Sequence, residues 1–293
     1  MKHRLTCLLL ISTAIAHAVQ PIGRAPAKAP KVPEGITYSV YQYRASEPAR
    51  AGQLGIAYPQ NAEKPLPVVI CIHGGGWSKG DKDQMAWMAV RYAQRGYVGV
   101  TLSYRLTAEA AMPACVLDVK EAIRSIKAMS DQLPIDTKRI AVLGYSAGGH
   151  LALMVGLTAD RETFKSGANL DQDSSVNCVV AISAPTDLEE RYRRHKKIRF
   201  NPNGEPVPQT LIHALSPLTY INSEQLPILL LHGNQDALVP VYHMHNFATQ
   251  SERLGIDNLE LYEHRDGGHM FFWKHQKITQ PIVDRFLSKQ LHP

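Results

Sequence analysis

The chain of 293 residues has few cysteines and no cysteine-rich stretch. It contains four cysteines, and Cys7 lies in an N-terminal segment that we expect to be removed, so the remaining three thiols allow one disulfide at most. Cys71 and Cys178 fall in apolar, strand-like runs, where cysteine usually acts as a small core residue. The sequence therefore excludes a small scaffold held together by disulfides.

The chain also lacks a large excess of charge of either sign. Its formal net charge is +6 at pH 7, and much of this excess comes from a basic segment at residues 191–199. The basic segment has no ladder of aromatic side chains of the kind that would favour nucleic-acid binding. We expect a solvated loop there or, as the second interpretation, a patch that steers anionic substrates, and we do not expect nucleic acid as a partner.

No hydrophobic run is long enough to span a bilayer, so we expect no stable membrane insertion. The apolar stretch within residues 1–18 follows a basic start at Lys2 and Arg4 and precedes a small-residue cleavage site that ends at Ala18. This order is typical of a secretory signal peptide, and a buried N-terminal helix is the alternative. The sequence predicts a secreted or periplasmic protein.

Residues 19–34 are rich in proline, alanine and lysine, and they predict an extended tether. Residues 35–293 show no internal repeat and are long enough for one large α/β domain. Apolar strands alternate there with amphipathic helices after an opening antiparallel pair, which predicts a mostly parallel central sheet flanked by helices. The strands are predicted at residues 36–43, 53–58, 67–73, 97–103, 140–143, 177–183, 226–231 and 259–262, and the helices at residues 83–95, 113–130, from 147 onward, 241–254 and 272–291.

Ser146 stands where a predicted strand changes abruptly into a predicted helix, inside the motif Gly144-Tyr-Ser-Ala-Gly148. The two glycines lack side chains that would clash in a tight turn, and this turn would lift the serine hydroxyl to the end of the sheet. The helix that begins at Ala147 would direct its amides and its positive end towards the same point. Ser146 is therefore the candidate nucleophile.

A serine hydroxyl needs a base to take its proton, and imidazole has a suitable proton affinity. Like Ser146, Asp236 and His269 lie in loops that follow predicted strands, so we predict that His269 is this base and that Asp236 orients it. Asp187 is the rival acid, and it could instead cap a helix or line the pocket. His264 and His275 are the rival bases, but they lie close to the last strand and within the closing helix, whereas His269 follows two glycines in a loop.

The stretch His73-Gly-Gly-Gly-Trp77 follows another predicted strand and has almost no side chains to block close approach. Backbone amides there suit a developing oxyanion, together with the amide of Ala147. The candidate donors are Gly75, Gly76 and Trp77, and the sequence does not choose among them. A phosphate-binding loop is excluded, because neither its Lys-Ser/Thr ending nor a dinucleotide fingerprint is present.

We predict neither a metal nor an organic cofactor. His243 and His245 have no carboxylates or cysteines nearby in the sequence, so they make a weak ligand set. Surface positions on a helix are the favoured interpretation of both histidines.

Six motifs together make the chain similar to the α/β-hydrolase superfamily across nearly all of residues 35–293. More narrowly, the chain resembles exported esterases of the acetylxylan and feruloyl esterase-like kind, which are related to hormone-sensitive-lipase-type carboxylesterases. The resemblance implies an α/β-hydrolase fold with a small cap insertion at residues 188–219, and it supports the roles of Ser146, Asp236 and His269. The motifs are His73-Gly-Gly-Gly-Trp77, Ser103-Tyr-Arg-Leu106, Gly144-Tyr-Ser-Ala-Gly-Gly-His150, Ser183-Ala-Pro-Thr-Asp187, His232-Gly-Asn-Gln-Asp236 with Val239-Pro240, and Gly267-Gly-His269.

From these features we expect a secreted serine hydrolase that cleaves carboxylic esters of short acyl groups through an acyl-enzyme. The resemblance suggests acetyl or feruloyl groups on plant polysaccharide, so the expected partner is a small ester or an esterified carbohydrate. Peptidases of the prolyl-oligopeptidase type carry similar loops but usually bring a large extra domain. A noncatalytic binding protein on the same fold is the third alternative.

Overall fold

The computed structural model describes residues 30–45, 49–194 and 200–292, and an eight-stranded sheet forms its centre. The order of the strands in the sheet is β1-β2-β4-β3-β5-β6-β7-β8. β1 pairs with β2 and β2 with β4 in the antiparallel sense, and all later pairs are parallel, which confirms the predicted architecture. The strands are β1 Ile36–Gln42, β2 Gln53–Pro59, β3 Leu66–Ile72, β4 Val98–Leu102, β5 Ile135–Tyr145, β6 Cys178–Ile182, β7 Ile228–Gly233 and β8 Leu259–His264.

The amino-acid pattern of each strand matches its place in the sheet. β4, β6 and β7 are buried along their whole length, as expected where helices cover both faces of a parallel sheet. β8 forms one edge of the sheet. The side chains of its sequence Leu-Glu-Leu-Tyr-Glu-His are half-buried or exposed. Charged side chains on an edge strand oppose pairing with another chain.

Helices cover both faces of the sheet. Met88 of α1 and Phe286 of α8 belong to the hydrophobic cluster on one face, and Val119 of α2, Leu151 of α3 and Phe247 of α6 belong to the cluster on the other. Within the three described ranges, no helix combines the length and the apolar character needed to cross a membrane. The helices are α1 Ala86–Ala93, α2 Ala114–Ala128, α3 Ala147–Leu157, α4 Leu188–Arg194, α5 Gln209–Ala214, α6 Tyr242–Arg253, α7 Phe271–Lys274 and α8 Gln276–Leu291.

Two predicted helices differ from the observed ones at their starts. The helix predicted at residues 83–95 begins as a 3₁₀ turn, Lys82–Met85, and continues as α1. The helix predicted at residues 272–291 is divided into α7 and α8 at His275, whose backbone dihedrals of −120° and 36° are not helical. The apolar periodicity continues across both junctions, so the sequence pattern alone did not reveal these breaks.

The predicted cap at residues 188–219 contains α4 and α5, followed by a 3₁₀ turn that begins at Pro217. The expectation of a solvated basic loop is wrong for Arg191, which is only 8% exposed. Its guanidinium donates to the carbonyl of Leu238 at 2.7 Å and lies 6.0 Å from the ring centre of Trp77. Arg193 is exposed and pairs with Glu190 at 2.5 Å, as a solvated side chain would. Residues 195–199, the predicted signal peptide and the tether up to residue 29 lie outside the described residues.

A buried carboxylate joins three parts of the domain near the carboxyl end of the sheet. Asp118 of α2 has a fully buried side chain that accepts hydrogen bonds from the backbone amide of Arg105 at 2.8 Å and from its guanidinium at 2.6 and 2.9 Å. Arg44, which follows β1, donates to the same carboxylate. This network explains the arginine of the Ser103-Tyr-Arg-Leu106 motif, because the arginine fixes the loop after β4 against α2.

We predict that Asp118→Asn lowers the free energy of unfolding by about 3 kcal/mol, because it leaves two guanidinium groups without their buried anion. Glu162→Gln is the matched control: the side chains of Glu162 and Lys165 are 80% and 45% exposed in their ion pair, and surface pairs contribute less than about 1 kcal/mol. Urea unfolding followed by circular dichroism measures both variants. Equal losses of stability in the two variants would contradict the assignment.

Candidate active site

The backbone at Ser146 adopts a left-handed conformation between β5 and α3, with φ 56° and ψ −120°. A residue with a side chain rarely adopts this conformation unless its surroundings impose it. A Cβ atom at Gly144 would lie 2.0 Å from the carbonyl oxygen of Gly148, and one at Gly148 would lie 2.3 Å from that of Ile72. The amide of Ser146 donates to the carbonyl of Ile182 at 2.7 Å. The turn is therefore closed on both sides by backbone, and glycine is required at both positions.

The structure brings Ser146, His269 and Asp236 together from three separate loops. The Oγ of Ser146 is 3.0 Å from Nε2 of His269, and Nδ1 of His269 is 2.6 Å from Oδ2 of Asp236. Since the carboxylate can only accept, Nδ1 carries the proton, and Nε2 accepts from the serine hydroxyl. The three predicted residues thus form one continuous hydrogen-bonded chain.

The carboxylate of Asp236 is fully buried and well supplied with donors. Its Oδ1 accepts from the amides of Leu238 at 2.9 Å and Val239 at 2.8 Å, and His232 Nε2 lies 3.5 Å from its Oδ2. Burial by itself would raise the pKa of Asp236, but hydrogen bonds from two histidines and a backbone amide outweigh it and hold the pKa well below its usual range. The carboxylate is therefore anionic wherever the protein is folded near neutral pH.

The rival residues lie elsewhere and have other partners. Asp187 caps α4, where its Oδ1 accepts from the amide of Glu190 at 3.0 Å. His264 contacts the hydroxyl of Tyr262 at 3.1 Å, and its ring centre is 4.3 Å from that of His275. Neither of these two histidines is a hydrogen-bond partner of the nucleophile.

His243 and His245, which were considered as a pair of metal ligands, lie in different surroundings. The expectation of a surface position is wrong for His243, which is 1% exposed and whose Nδ1 accepts from the amide of Thr186 at 3.3 Å. His245 is exposed and lies 2.6 Å from Glu263. Among the residues that the structure describes, no group of three histidine, cysteine or acidic side chains is arranged to hold a metal ion.

The glycine-rich loop after β3 lies directly against Ser146. A Cβ atom at Gly74 would lie 2.9 Å from the carbonyl oxygen of Tyr145 and 3.2 Å from the Cβ of Ser146, so glycine is what allows this approach. Gly75, Gly76 and Trp77 then follow with φ of 110°, 59° and 59°. Within the described part of the chain, the amides of these three residues and of Ala147 donate to no backbone carbonyl. Successive left-handed residues with unused amides form a concave surface that suits an anion.

Comparison with known proteins identifies the family of the chain. A sequence model of the family described as BD-FAE matches residues 54–250. The chain belongs to the BD-FAE family. The esterase LipC of Mycobacterium tuberculosis is 31% identical over 218 residues, covering 71% of this chain and 54% of LipC. The esterase LipQ of the same organism is 27% identical and covers 70% of this chain and 50% of LipQ. The chain thus spans about half the length of the curated relatives that it matches.

Solved structures place the BD-FAE chain among the α/β-hydrolases and confirm the resemblance to the esterase branch. The acetyl ester-xyloside bifunctional hydrolase from Caldicellulosiruptor lactoaceticus has a TM-score of 0.73 at 27% identity and covers 88% of this chain and 97% of its own. A truncated carbohydrate esterase from gut microbiota has a TM-score of 0.74 at 23% identity and covers 91% of this chain and 100% of its own. The predicted α/β-hydrolase fold is therefore confirmed.

One contact of the BD-FAE site was missed in the sequence, namely that between the side chains of Trp77 and His150. Trp77 Nε1 donates to His150 Nδ1 at 3.2 Å, and His150 Nε2 donates to the carbonyl of Leu215 at 2.7 Å. This line of hydrogen bonds ties the glycine-rich loop, through α3, to the cap. The only signal in the sequence is that His150 directly follows the serine motif, and this does not identify its partners.

Two buried histidines near the site, His150 and His73, are neutral at pH 7. Burial lowers the pKa of His150 to about 4, and the bond to the Leu215 carbonyl opposes this only in part. Burial likewise lowers the pKa of His73 to about 4. A protonated His150 could not accept from the Trp77 indole, so the neutral form belongs to the folded state. The unfolded chain binds these protons near pH 6.5, so the stability that the two side chains contribute is present above that pH and is lost as the pH falls towards 4.

We predict that His150→Gln makes the free energy of unfolding depend less on pH, because a glutamine can make both hydrogen bonds without taking up a proton. The free energy of unfolding of the variant should fall less steeply between pH 6.5 and 4, by up to about 1.4 kcal/mol per pH unit. Urea unfolding of both proteins at a series of pH values measures the two slopes, and near-ultraviolet circular dichroism at pH 7 checks that the variant is folded. Equal slopes would refute the assignment of His150.

Proposed function

We propose that the chain is a serine hydrolase that cleaves carboxylic esters of short acyl groups. The observation that carries the proposal is the hydrogen-bonded chain from Ser146 Oγ through His269 to the buried carboxylate of Asp236. An unassisted serine hydroxyl is a poor nucleophile near neutral pH, and this chain supplies the base and a fixed tautomer. The names of the relatives, which include esterases of Mycobacterium tuberculosis, support the same reaction class.

In the proposed mechanism, His269 Nε2 takes the hydroxyl proton while Ser146 Oγ attacks the ester carbonyl carbon. The negative charge that develops on the carbonyl oxygen is held by the amide of Ala147 and by amides of Gly75, Gly76 or Trp77. His269 then gives its proton to the oxygen of the departing alcohol, which leaves an acyl-enzyme. Water, deprotonated by the same imidazole, releases the acid, and Asp236 stabilises the imidazolium at both stages.

The backbone amides around Ser146 are placed to stabilise the negative charge of the transition state and not the neutral substrate. The amides are already held in place before the substrate binds, so they need no reorganisation when the charge appears. Removing one such donor typically costs about 3 kcal/mol of transition-state stabilisation, and two donors together supply roughly 5 kcal/mol. The N-terminus of α3 at Ala147 adds the positive end of its dipole.

The substrate class is proposed from the neighbours as well as from the site. One solved neighbour is called an acetyl ester-xyloside hydrolase and another a carbohydrate esterase. We propose acetyl or feruloyl esters on plant polysaccharide as substrates of this chain. The mechanism uses only side chains and backbone amides of the protein.

We predict that Ser146→Ala lowers kcat for p-nitrophenyl acetate by more than about 10⁴-fold, because no other group can form the acyl-enzyme. Asp236→Asn should lose about 10⁴-fold, because the amide favours the wrong tautomer of His269. Ser288→Ala is the control, since Ser288 is exposed on α8. A series of esters from acetate to decanoate then measures the acyl preference. Activity that survives in Ser146→Ala would refute the mechanism.

We also propose that residues 1–18 direct export and are removed after Ala18. The support is the order of basic start, apolar core and small-residue site, followed by the proline-rich tether. Expression of the full chain in a bacterial host, followed by intact mass measurement of the periplasmic protein, should give a chain that begins at Val19. A protein that stays in the cytoplasm with Met1 intact would contradict the proposal.

A further inference from the structure

A groove lies beside the turn that carries Ser146. It is lined mainly by the side chains of Trp87, Tyr145, Met270 and Trp273, which we call the aromatic groove, and it encloses about 210 Å³. The indole rings of Trp87 and Trp273 are 5.9 Å apart at 72°, and the ring of Tyr145 is 5.2 Å from that of Trp273. The groove is therefore small, and three of its seven lining residues are aromatic.

The aromatic groove touches the catalytic residues directly. Tyr145 precedes the nucleophile, and Gly74, which also lines the groove, approaches Ser146 so closely that a Cβ there would be 3.2 Å from the serine Cβ. A group bound in the groove would therefore be next to an ester carbonyl attacked by Ser146. This places the groove within the substrate site and not at a separate surface.

The groove adjoins the nucleophile on the side of the imidazole. Met270 follows His269 in the chain, and the hydroxyl of Tyr145 donates to the carbonyl of His269 at 3.1 Å. The ring of Tyr145 is 5.2 Å from the imidazole. Since the imidazole gives its proton to the departing alcohol, the part of the substrate that lies beside it is the alcohol and not the acyl group.

The chemistry of the lining indicates which alcohol fits. The chain has three tryptophans; Trp77 is buried, and the other two line this groove, where Trp87 is 39% exposed. Trp273 is half-buried, so the groove presents one exposed and one half-buried indole, and an apolar surface of this kind beside a catalytic residue is typical of a ligand site. Sugar rings have flat faces of C–H bonds that pack on indoles, and their hydroxyls suit the exposed amide of Gln84 at the groove.

We propose that the aromatic groove binds the sugar ring of the departing alcohol and so selects esters of carbohydrates. The proposal rests on the proposed esterase function and adds to it the residues that recognise the alcohol. The volume suits a single monosaccharide ring, so recognition is of the ring that carries the ester.

The experiment compares two acetate esters that form the same acetyl-enzyme: a mono-O-acetyl methyl β-D-xylopyranoside and ethyl acetate. We expect Trp87→Ala and Trp273→Ala each to lower the ratio of kcat/KM for the sugar ester to that for ethyl acetate by roughly tenfold. Trp87→Phe keeps an aromatic ring and guards against loss of the fold, so its ratio should fall less. Leu261→Ala, at a side chain 48% exposed on the edge strand, is the matched control and should leave the ratio unchanged.

Two results would overturn the proposal. One is an unchanged ratio in both tryptophan-to-alanine variants. The other is a change in the ratio of ethyl hexanoate to ethyl acetate with no change in the sugar ratio, which would assign the groove to the acyl chain.

A binding measurement separates this proposal from the proposed function. Ser146→Ala protein is titrated with methyl β-D-xylopyranoside while tryptophan fluorescence is recorded. We expect a saturable change in fluorescence that is absent from the double variant Ser146→Ala, Trp87→Ala. Absence of a saturable change contradicts the groove assignment. Saturable binding by a protein whose unmodified form hydrolyses no ester would refute the esterase function and leave the groove as a sugar site.

Discussion

The left-handed turn at Ser146 is the constraint on which the rest of the site depends. Because β3 and β5 are parallel neighbours with Ile72 opposite Gly144, the loop after β3 is bound to meet the turn after β5. β7 and β8 are also neighbours, with Gly233 opposite His264, so the loops that carry Asp236 and His269 leave the sheet side by side. The register of the sheet therefore brings the loops after β3, β5, β7 and β8 together, and none of them has to extend far from the end of its strand.

The burial of α3 maintains the strained backbone conformation at Ser146. All residues of α3 are buried, because the sheet covers one side of this helix and α2 with the cap covers the other. A helix that is apolar all round cannot shift without exposing a large surface, so the turn cannot relax by moving α3. The same rigidity keeps the amide of Ala147 in place, which links the packing of the core to the proposed stabilisation of charge at the site.

The sequence allowed prediction of features that depend on local pattern. The strand before Ser146, the order of acid and base and the glycine-rich loop each follow from neighbouring residues and the rules of a parallel sheet. Features set by distant contacts were missed. Arg191 lies in a basic segment typical of solvated chain, but the carbonyl of Leu238 and the ring of Trp77, far away in sequence, bury it. His243 is buried for the same reason, by Thr186 from the loop after β6.

The two sides of the nucleophile are built from different faces of the sheet. Trp77, Phe200 and Leu215, from the glycine-rich loop and the cap, belong to the hydrophobic cluster that contains α2 and α3. Tyr145 and Trp273 pack against the other cluster, which contains α1 and α8. If Tyr145 and Trp273 contact the alcohol part of the substrate, the acyl group lies against Trp77, Phe200 and Leu215. Substitutions that alter one preference then need not disturb the other, because each set is supported by its own core.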